Sequence, residues 1–238
     1  ARTAAAMKNV HFRRALSFGL DRASYNAQVN GEELKVNSLR NCYVPGNFVA
    51  LEEDTTVSIN GTDTTFPAGT YFGAIEQAQI DADGVAIKVW DPDGNDGAGS
   101  SDGFDGWYNV DNAVAELDTA IEELSADGIT IDEENPIYID MPYASSLEAY
   151  SNQANAYKQS IEASLGGKVI VNLVDCVTSD GWYYAGYYTD YGYEANYDVY
   201  DVSGWSPDFG DPSTYLDTFL PDYAGYMVKM HRYLLIRN

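Results

Sequence analysis

From Asn9 to Leu20 apolar residues recur at helical spacing, with Val10, Ala15, Leu16 and Leu20 on one side, and the pattern predicts a helix with that side inward. Asp21 has the place and chemistry of an N-cap for a second helix reaching about Val29. The period then changes. Over residues 42–110 Thr, Val, Gly and Asp dominate, and Thr56-Val57-Ser58-Ile59 and Ala86-Ile87-Lys88-Val89-Trp90 form short alternating runs. Asn60-Gly61 is a strong hairpin signal, because both residues tolerate the left-handed conformation a two-residue turn needs. This block is read as a β-rich insertion within a single domain of residues 1–238.

Helical spacing returns after it. Asp111 is the expected cap of a helix with Val114, Leu117, Ile121 and Leu124 on one face and Gly128 at its end. Pro136 to Met141 alternates as a strand, with Ile137 and Ile139 to one side. Ser145 and Glu148 have capping-box spacing before a helix carrying Leu147, Tyr150, Ala154, Tyr157, Ile161 and Leu165, which Gly166-Gly167 stops. Lys168 to Val174 is a second strand. A strand–helix–strand succession of this kind predicts an α/β fold with a parallel pair.

Composition narrows the function more than the fold. The chain has 238 residues, 20 tyrosines and a formal net charge of −24. Between Lys168 and Lys229 no basic residue occurs, while ten Asp and Glu do. A field of that sign repels phosphate backbones and excludes nucleic-acid binding, and it favours cationic or zwitterionic ligands over anionic ones. No apolar stretch approaches the length of a membrane-spanning helix. Cys42 and Cys176 make neither a metal spacing nor a disulfide framework and are expected to be unpaired thiols.

The segment Tyr197 to Leu220, YDVYDVSGWSPDFGDPSTYLDTFL, carries the main candidate chemistry. A short strand with Tyr197, Val199 and Val202 inward ends at Ser203-Gly204. Trp205 and Asp208 follow, then a Gly210-Asp211-Pro212 turn and a helix start at Ser213. A carboxylate three residues after an indole suits a ligand with an ammonium group next to apolar surface: the carboxylate accepts a charge-assisted hydrogen bond and the indole excludes water. The same two residues also suit a core tryptophan and a helix-capping aspartate.

Other motifs carry less. Asp91, Asp93, Asn95 and Asp96 superficially resemble a calcium loop, but Asp96 stands where the turn glycine belongs and Asp102 replaces the bidentate Glu, so a solvated acidic hairpin tip is the better reading. His11 and His231 are the only histidines, and His11 sits within the first helix, which leaves little for nucleophile–histidine catalysis. Paired carboxylates for sugar hydrolysis remain open, since acids abound. After Trp182, the residues Tyr184, Tyr187, Tyr188 and Tyr191 are spaced to share one helical face, for packing or for lining a cleft. Asn60-Gly61-Thr62 fits a glycosylation sequon.

Three blocks in order resemble a known family. VHFRRALSFGLDR (Val10 to Arg22) is similar to the helix that opens the second lobe of the oligopeptide-binding proteins of ABC importers, solute-binding protein family 5. SLGGKVIVNLVD (Ser164 to Asp175), followed by Gly181-Trp182, resembles the block that precedes the ligand strand. The Trp205–Asp208 segment resembles the ligand strand itself, and the run YYAGYYTDYGYEANYD resembles the Gram-positive subgroup.

The resemblance implies a periplasmic-binding-protein-like lobe, with a mixed sheet, flanking helices and the β-rich insertion. It implies no catalysis and no cofactor. Asp208 would hold a peptide's α-ammonium and Trp205 would line the same subsite. The backbone of Val202, Ser203 and Gly204 would pair with the peptide main chain. The implied partners are an oligopeptide, a membrane permease and a first lobe of the same protein. The chain is accordingly expected to be a second-lobe fragment of an extracellular lipoprotein, its signal and anchor lying upstream. A sugar or other small solute on the same fold, or a surface hydrolase or adhesive module, stands as the alternative.

Overall fold

A computed structural model describes residues 1–37, 39–42, 44–100, 106–201 and 213–216. In chain order these form helices α1 (Arg2–Lys8), α2 (Val10–Gly19) and α3 (Arg22–Asn30), strands β1 (Thr55–Ile59) and β2 (Thr62–Phe66), helices α4 (Phe72–Ala82) and α5 (Val110–Ala126), strand β3 (Ile137–Tyr143), helix α6 (Glu148–Ser164), strand β4 (Val169–Asp175), and helices α7 (Ser179–Ala185) and α8 (Ser213–Leu216). The fold is α/β. The described residues divide into two compact units, 1–35 with 107–201, and those within 36–106 with 213–216.

In the first unit β3 and β4 pair in parallel, with Ile137 opposite Val169 and Ile139 opposite Val171, and α6 forms the crossover between them. Parallel pairing requires a crossover of this kind, and the predicted strand–helix–strand unit is present. Ile137, Ile139, Met141, Val169 and Val171 are buried together with Ile161 and Leu165 at the end of α6. Groups outside the ladder saturate the backbone at two points of this sheet, side chains at Val171 and residues 198–199 at Asp140. The Val171 amide donates to Glu162 Oε1 at 3.0 Å, and its carbonyl accepts from Lys158 Nζ at 2.7 Å. On β3, the Asp140 amide donates to Asp198 Oδ2 at 2.9 Å, while its carbonyl accepts from the Asp198 and Val199 amides.

α2 packs on α5 with the expected Ala15, Leu16, Leu117 and Leu124 buried, but the packed faces are turned away from Val10 and Val114. The buried residues of α2 are Phe12, Ala15, Leu16, Phe18 and Gly19, whereas Val10 is 43% exposed. Those of α5 are Ala113, Leu117, Ala120 and Leu124, whereas Val114 is 40% exposed. Some caps differ. Asn9 caps α2 by accepting from the Phe12 amide, and Asp21 caps α3 through the Ser24 amide as expected. Asn109, not Asp111, caps α5, and α6 has Leu147 at its N-cap with no side-chain cap, while the Ser145 amide donates to Asp175 Oδ1. Helix α1 is not among the elements read from the sequence, although its three consecutive alanines favour a helix. It is tied down where Arg2 donates to the carbonyls of Thr130 and Asn135.

In the second unit β1 and β2 form the antiparallel hairpin predicted at Asn60-Gly61, and both turn residues take positive φ, 48° and 78°. The run Ala86–Trp90 is not a strand. It is held extended by Gln77 of α4, a helix the alternating pattern had hidden. Gln77 Oε1 accepts from the Val89 and Trp90 amides at 2.8 and 3.2 Å, and its Nε2 donates to the Ile87 carbonyl. Trp90 then packs on a glycine floor. A Cβ added at Gly46 or Gly73 would lie 2.5 or 2.3 Å from the Trp90 ring.

Candidate functional site

Residues 197–201 lead directly into the candidate ligand segment, and nearly every one is fixed by a side-chain contact. They form no strand, in contrast to the expected alternation of Tyr197 and Val199. Tyr197 and Tyr200 instead stack on each other, with centroids 4.7 Å apart and planes 18° from parallel. The Tyr200 hydroxyl donates to the Trp182 carbonyl at 2.7 Å and accepts from the Tyr187 amide at 3.2 Å. The pair fits only because residue 186 lacks a Cβ, which would fall 2.6 Å from Tyr197 Cε1 and 2.9 Å from Tyr200 Cε1.

Asp201 accepts a hydrogen bond from the Tyr25 hydroxyl of α3 at 2.7 Å. Burial raises the Asp201 carboxyl above its ordinary value, and burial followed by the Asp201 charge pushes the Tyr25 phenol far up, so Tyr25 stays a donor. The second Asp201 oxygen is buried and has no partner among the described residues.

Beside this anchor, beyond the carboxyl ends of β3 and β4, lies an aromatic shelf. The buried Trp182 meets Tyr150 of α6 at 5.1 Å and Tyr183 at 6.2 Å. Tyr183 meets Tyr187 and Tyr188 at 5.6 and 5.4 Å. The predicted helical stripe is not what brings them together. α7 ends at Ala185 and the chain turns at Gly186, so Tyr187 and Tyr188 fold back on Tyr183. Tyr184, at 71% exposure, faces solvent. The Trp182 indole nitrogen is buried without a partner among the described residues. In parallel α/β sheets ligands collect beyond the carboxyl ends of the strands, which is where this shelf stands.

Val202, Ser203, Gly204, Trp205 and Asp208 themselves lie outside the described residues, as do Asp102 and His231. Tyr25 and Asp201 were not singled out in the sequence. The only signal was a second carboxylate close to the Trp–Asp motif. His11 is a structural residue, with Nδ1 2.6 Å from Glu116 Oε2 on α5. At the acidic tip the Asp93 amide donates to Asp91 Oδ1, and among the described residues no three His, Cys, Asp or Glu side chains form a metal-binding group. Cys176 is a free thiol, and no disulfide is formed among the described residues.

The chain is homologous to streptococcal oligopeptide-binding proteins over nearly its whole length. AmiA of Streptococcus pneumoniae is 34% identical over 215 residues, 90% of this chain and 28% of AmiA. SarA of Streptococcus gordonii is 34% identical over 219 residues, 92% of this chain and 29% of SarA. AliA of Streptococcus pneumoniae is 31% identical over 221 residues, 93% of this chain and 29% of AliA. The chain thus spans less than a third of the length of these relatives. No family model matches it. Among solved structures, the substrate-binding domain of an oligopeptide ABC transporter from Bacillus anthracis aligns with a TM-score of 0.48 at 17% identity, covering 94% of this chain and 31% of that one. Listeria monocytogenes OppA bound to peptide aligns with a TM-score of 0.49 at 16% identity, covering 95% of this chain and 32% of that one.

Proposed function

We propose that this chain is part of the substrate-binding component of a peptide ABC importer and that it binds extended oligopeptides. The observation that carries the reading is the 34% identity to oligopeptide-binding proteins along 90% or more of the chain. In this reading Asp208 holds the α-ammonium of the peptide, Trp205 covers the adjacent apolar atoms, and the backbone of Val202, Ser203 and Gly204 adds to the peptide main chain as a strand does. Main-chain pairing tolerates varied side chains, which suits uptake of mixed peptides. The remaining partners are a membrane permease and the first lobe of the same protein. The working location is the outer face of the cell, held by a lipid anchor. The protein binds and releases its ligand unchanged and is not an enzyme.

The test is calorimetry on the full-length parent with a mixed peptide pool before and after N-acetylation. Acetylation is expected to abolish binding. If neither pool binds, the ligand belongs to another class, and a sugar stacked on aromatic rings becomes the reading to pursue. Asp208→Asn is expected to weaken peptide binding by about 1.5–3 kcal/mol, the scale of a hydrogen bond to a charged group. An unchanged dissociation constant would remove Asp208 from the site.

A further inference from the structure

Helix α7 and the turn after it leave two aromatic rings in the open. Tyr184 is 71% exposed and Tyr188 52% exposed, and their rings meet edge to face with centroids 5.2 Å apart. Tyr188 is braced by Tyr183 at 5.4 Å and Tyr187 at 5.7 Å, and its amide donates to the Tyr183 carbonyl at 3.0 Å. The pair is thus the outer rim of the aromatic shelf, fixed at its base and accessible to water at its surface.

A carboxylate stands beside this rim. Asp180 lies one helical turn before Tyr184 on α7, so the two side chains share a face of the helix, and both are exposed. The surroundings have the same sign, since no lysine or arginine occurs between Lys168 and Lys229 while ten Asp and Glu do. Such an arrangement attracts a cation in two ways. The face of a tyrosine ring carries the negative end of its quadrupole, and the carboxylate accepts a charge-assisted hydrogen bond. An anion is repelled there, and a neutral apolar group gains contact area alone.

We propose that Tyr184, Tyr188 and Asp180 form a subsite for an arginine side chain of the bound peptide, so that the protein prefers arginine-bearing oligopeptides. The guanidinium stacks on an exposed ring and donates to Asp180. Arginine suits the rim better than lysine, because its head group is planar, weakly hydrated and able to stack while it donates. The inference rests on the peptide reading of function and names the class of peptide that the site takes. Its place in the fold agrees with that reading. The shelf stands beyond the carboxyl ends of β3 and β4, where ligands of parallel sheets collect. Gly186, between the two tyrosines in sequence, packs against Tyr197 and Tyr200, which lead into the candidate ligand segment.

The probes are oligopeptides with free amino ends in which one arginine is moved along an otherwise neutral sequence. Each is paired with the same peptide carrying citrulline, the uncharged isostere, and both are titrated into the full-length parent by calorimetry. At one position or more, arginine is expected to bind about threefold tighter than citrulline. Replacing both rings, Tyr184→Leu with Tyr188→Leu, should bring that ratio to one and leave the citrulline peptides little changed, and Asp180→Asn should lower it. Tyr184→Phe with Tyr188→Phe keeps the ring faces and should retain the preference. All three positions are exposed, and an unchanged melting temperature verifies the fold of each variant. If no peptide binds the parent, the peptide reading fails and the subsite with it. If peptides bind but arginine and citrulline are equal at every position, or if the preference survives the leucine pair, the subsite alone is overturned.

Discussion

Two half-buried carboxyls, Asp201 and Glu76, show how a tertiary setting changes what a single acidic residue does. Asp201 has a partner, the Tyr25 hydroxyl at 2.7 Å. Tyr25→Phe removes that donor and leaves a part-buried oxygen unpaired, so the variant is expected to lose about 1–3 kcal/mol in urea denaturation. An unshifted midpoint would mean the bond contributes nothing net. Glu76 has no described partner for Oε2, and burial raises its carboxyl to about 7 from an ordinary 4.5. A raised carboxyl holds its proton more tightly in the folded state than in the unfolded one. Its contribution to stability is therefore complete below about pH 4.5 and is lost as pH rises through about 7. The melting temperature of Glu76→Gln should accordingly gain on the parent across that window in paired thermal melts. Parallel curves would place Glu76 in water. Neither carboxyl was legible beforehand: Glu76 sits in FGAIEQAQI like any solvated helical acid, and only the placement of α4 buries it.

Elements were legible where period and turn chemistry agreed, and illegible where packing distance decided. The hairpin at Asn60-Gly61, the Asp21 cap and the β3–α6–β4 unit follow from local sequence. The inner faces of α2 and α5 follow only in part, with Ala15, Leu16, Leu117 and Leu124 buried as expected but Val10 and Val114 exposed. These helices approach along a seam of small residues, Ala15, Gly19, Ala113 and Ala120, and a Cβ at Gly19 would already lie 3.3 Å from Ser164 and 3.8 Å from Ala113. Close approach selects alanine and glycine, which apolar scoring ranks below the exposed Val10 and Val114. Leu117→Ala is expected to cost about 2–5 kcal/mol and Val114→Ala no more than about 0.5 kcal/mol, measured by urea denaturation of both variants. Reversed costs would restore the valine face to the core. For the caps, Asn109→Ala should cost about 1 kcal/mol, because its side chain satisfies the Asn112 amide. The tyrosine stripe failed as a helical face for a single reason. Gly186 stops α7, and only glycine leaves room there for the Tyr197–Tyr200 stack.

At the scale of the molecule, charge and motif order said most about function, and the family likeness read from three short blocks agrees with homology over 90% of the chain. The candidate ligand residues, Val202 to Asp208, came from motif alone, and what the structure adds is the set of contacts fixing residues 197–201 just before them. That anchoring gives the peptide reading a mechanical basis: a backbone meant to pair with a ligand loses less entropy on binding if its approach is already rigid.

The contacts that occupy Asp140 of β3 and Val171 of β4 have a consequence for how copies of the protein meet. A sheet of two strands has two flanks, and an unpaired flank is a template on which a foreign strand can grow. Lys158 and Glu162 occupy that template at Val171, and Asp198 and Val199 occupy it at Asp140. A strand from a second molecule would have to displace charged groups already bonded to the backbone before gaining a single ladder bond. The most apolar element of the first unit is thereby guarded against fibrous self-assembly.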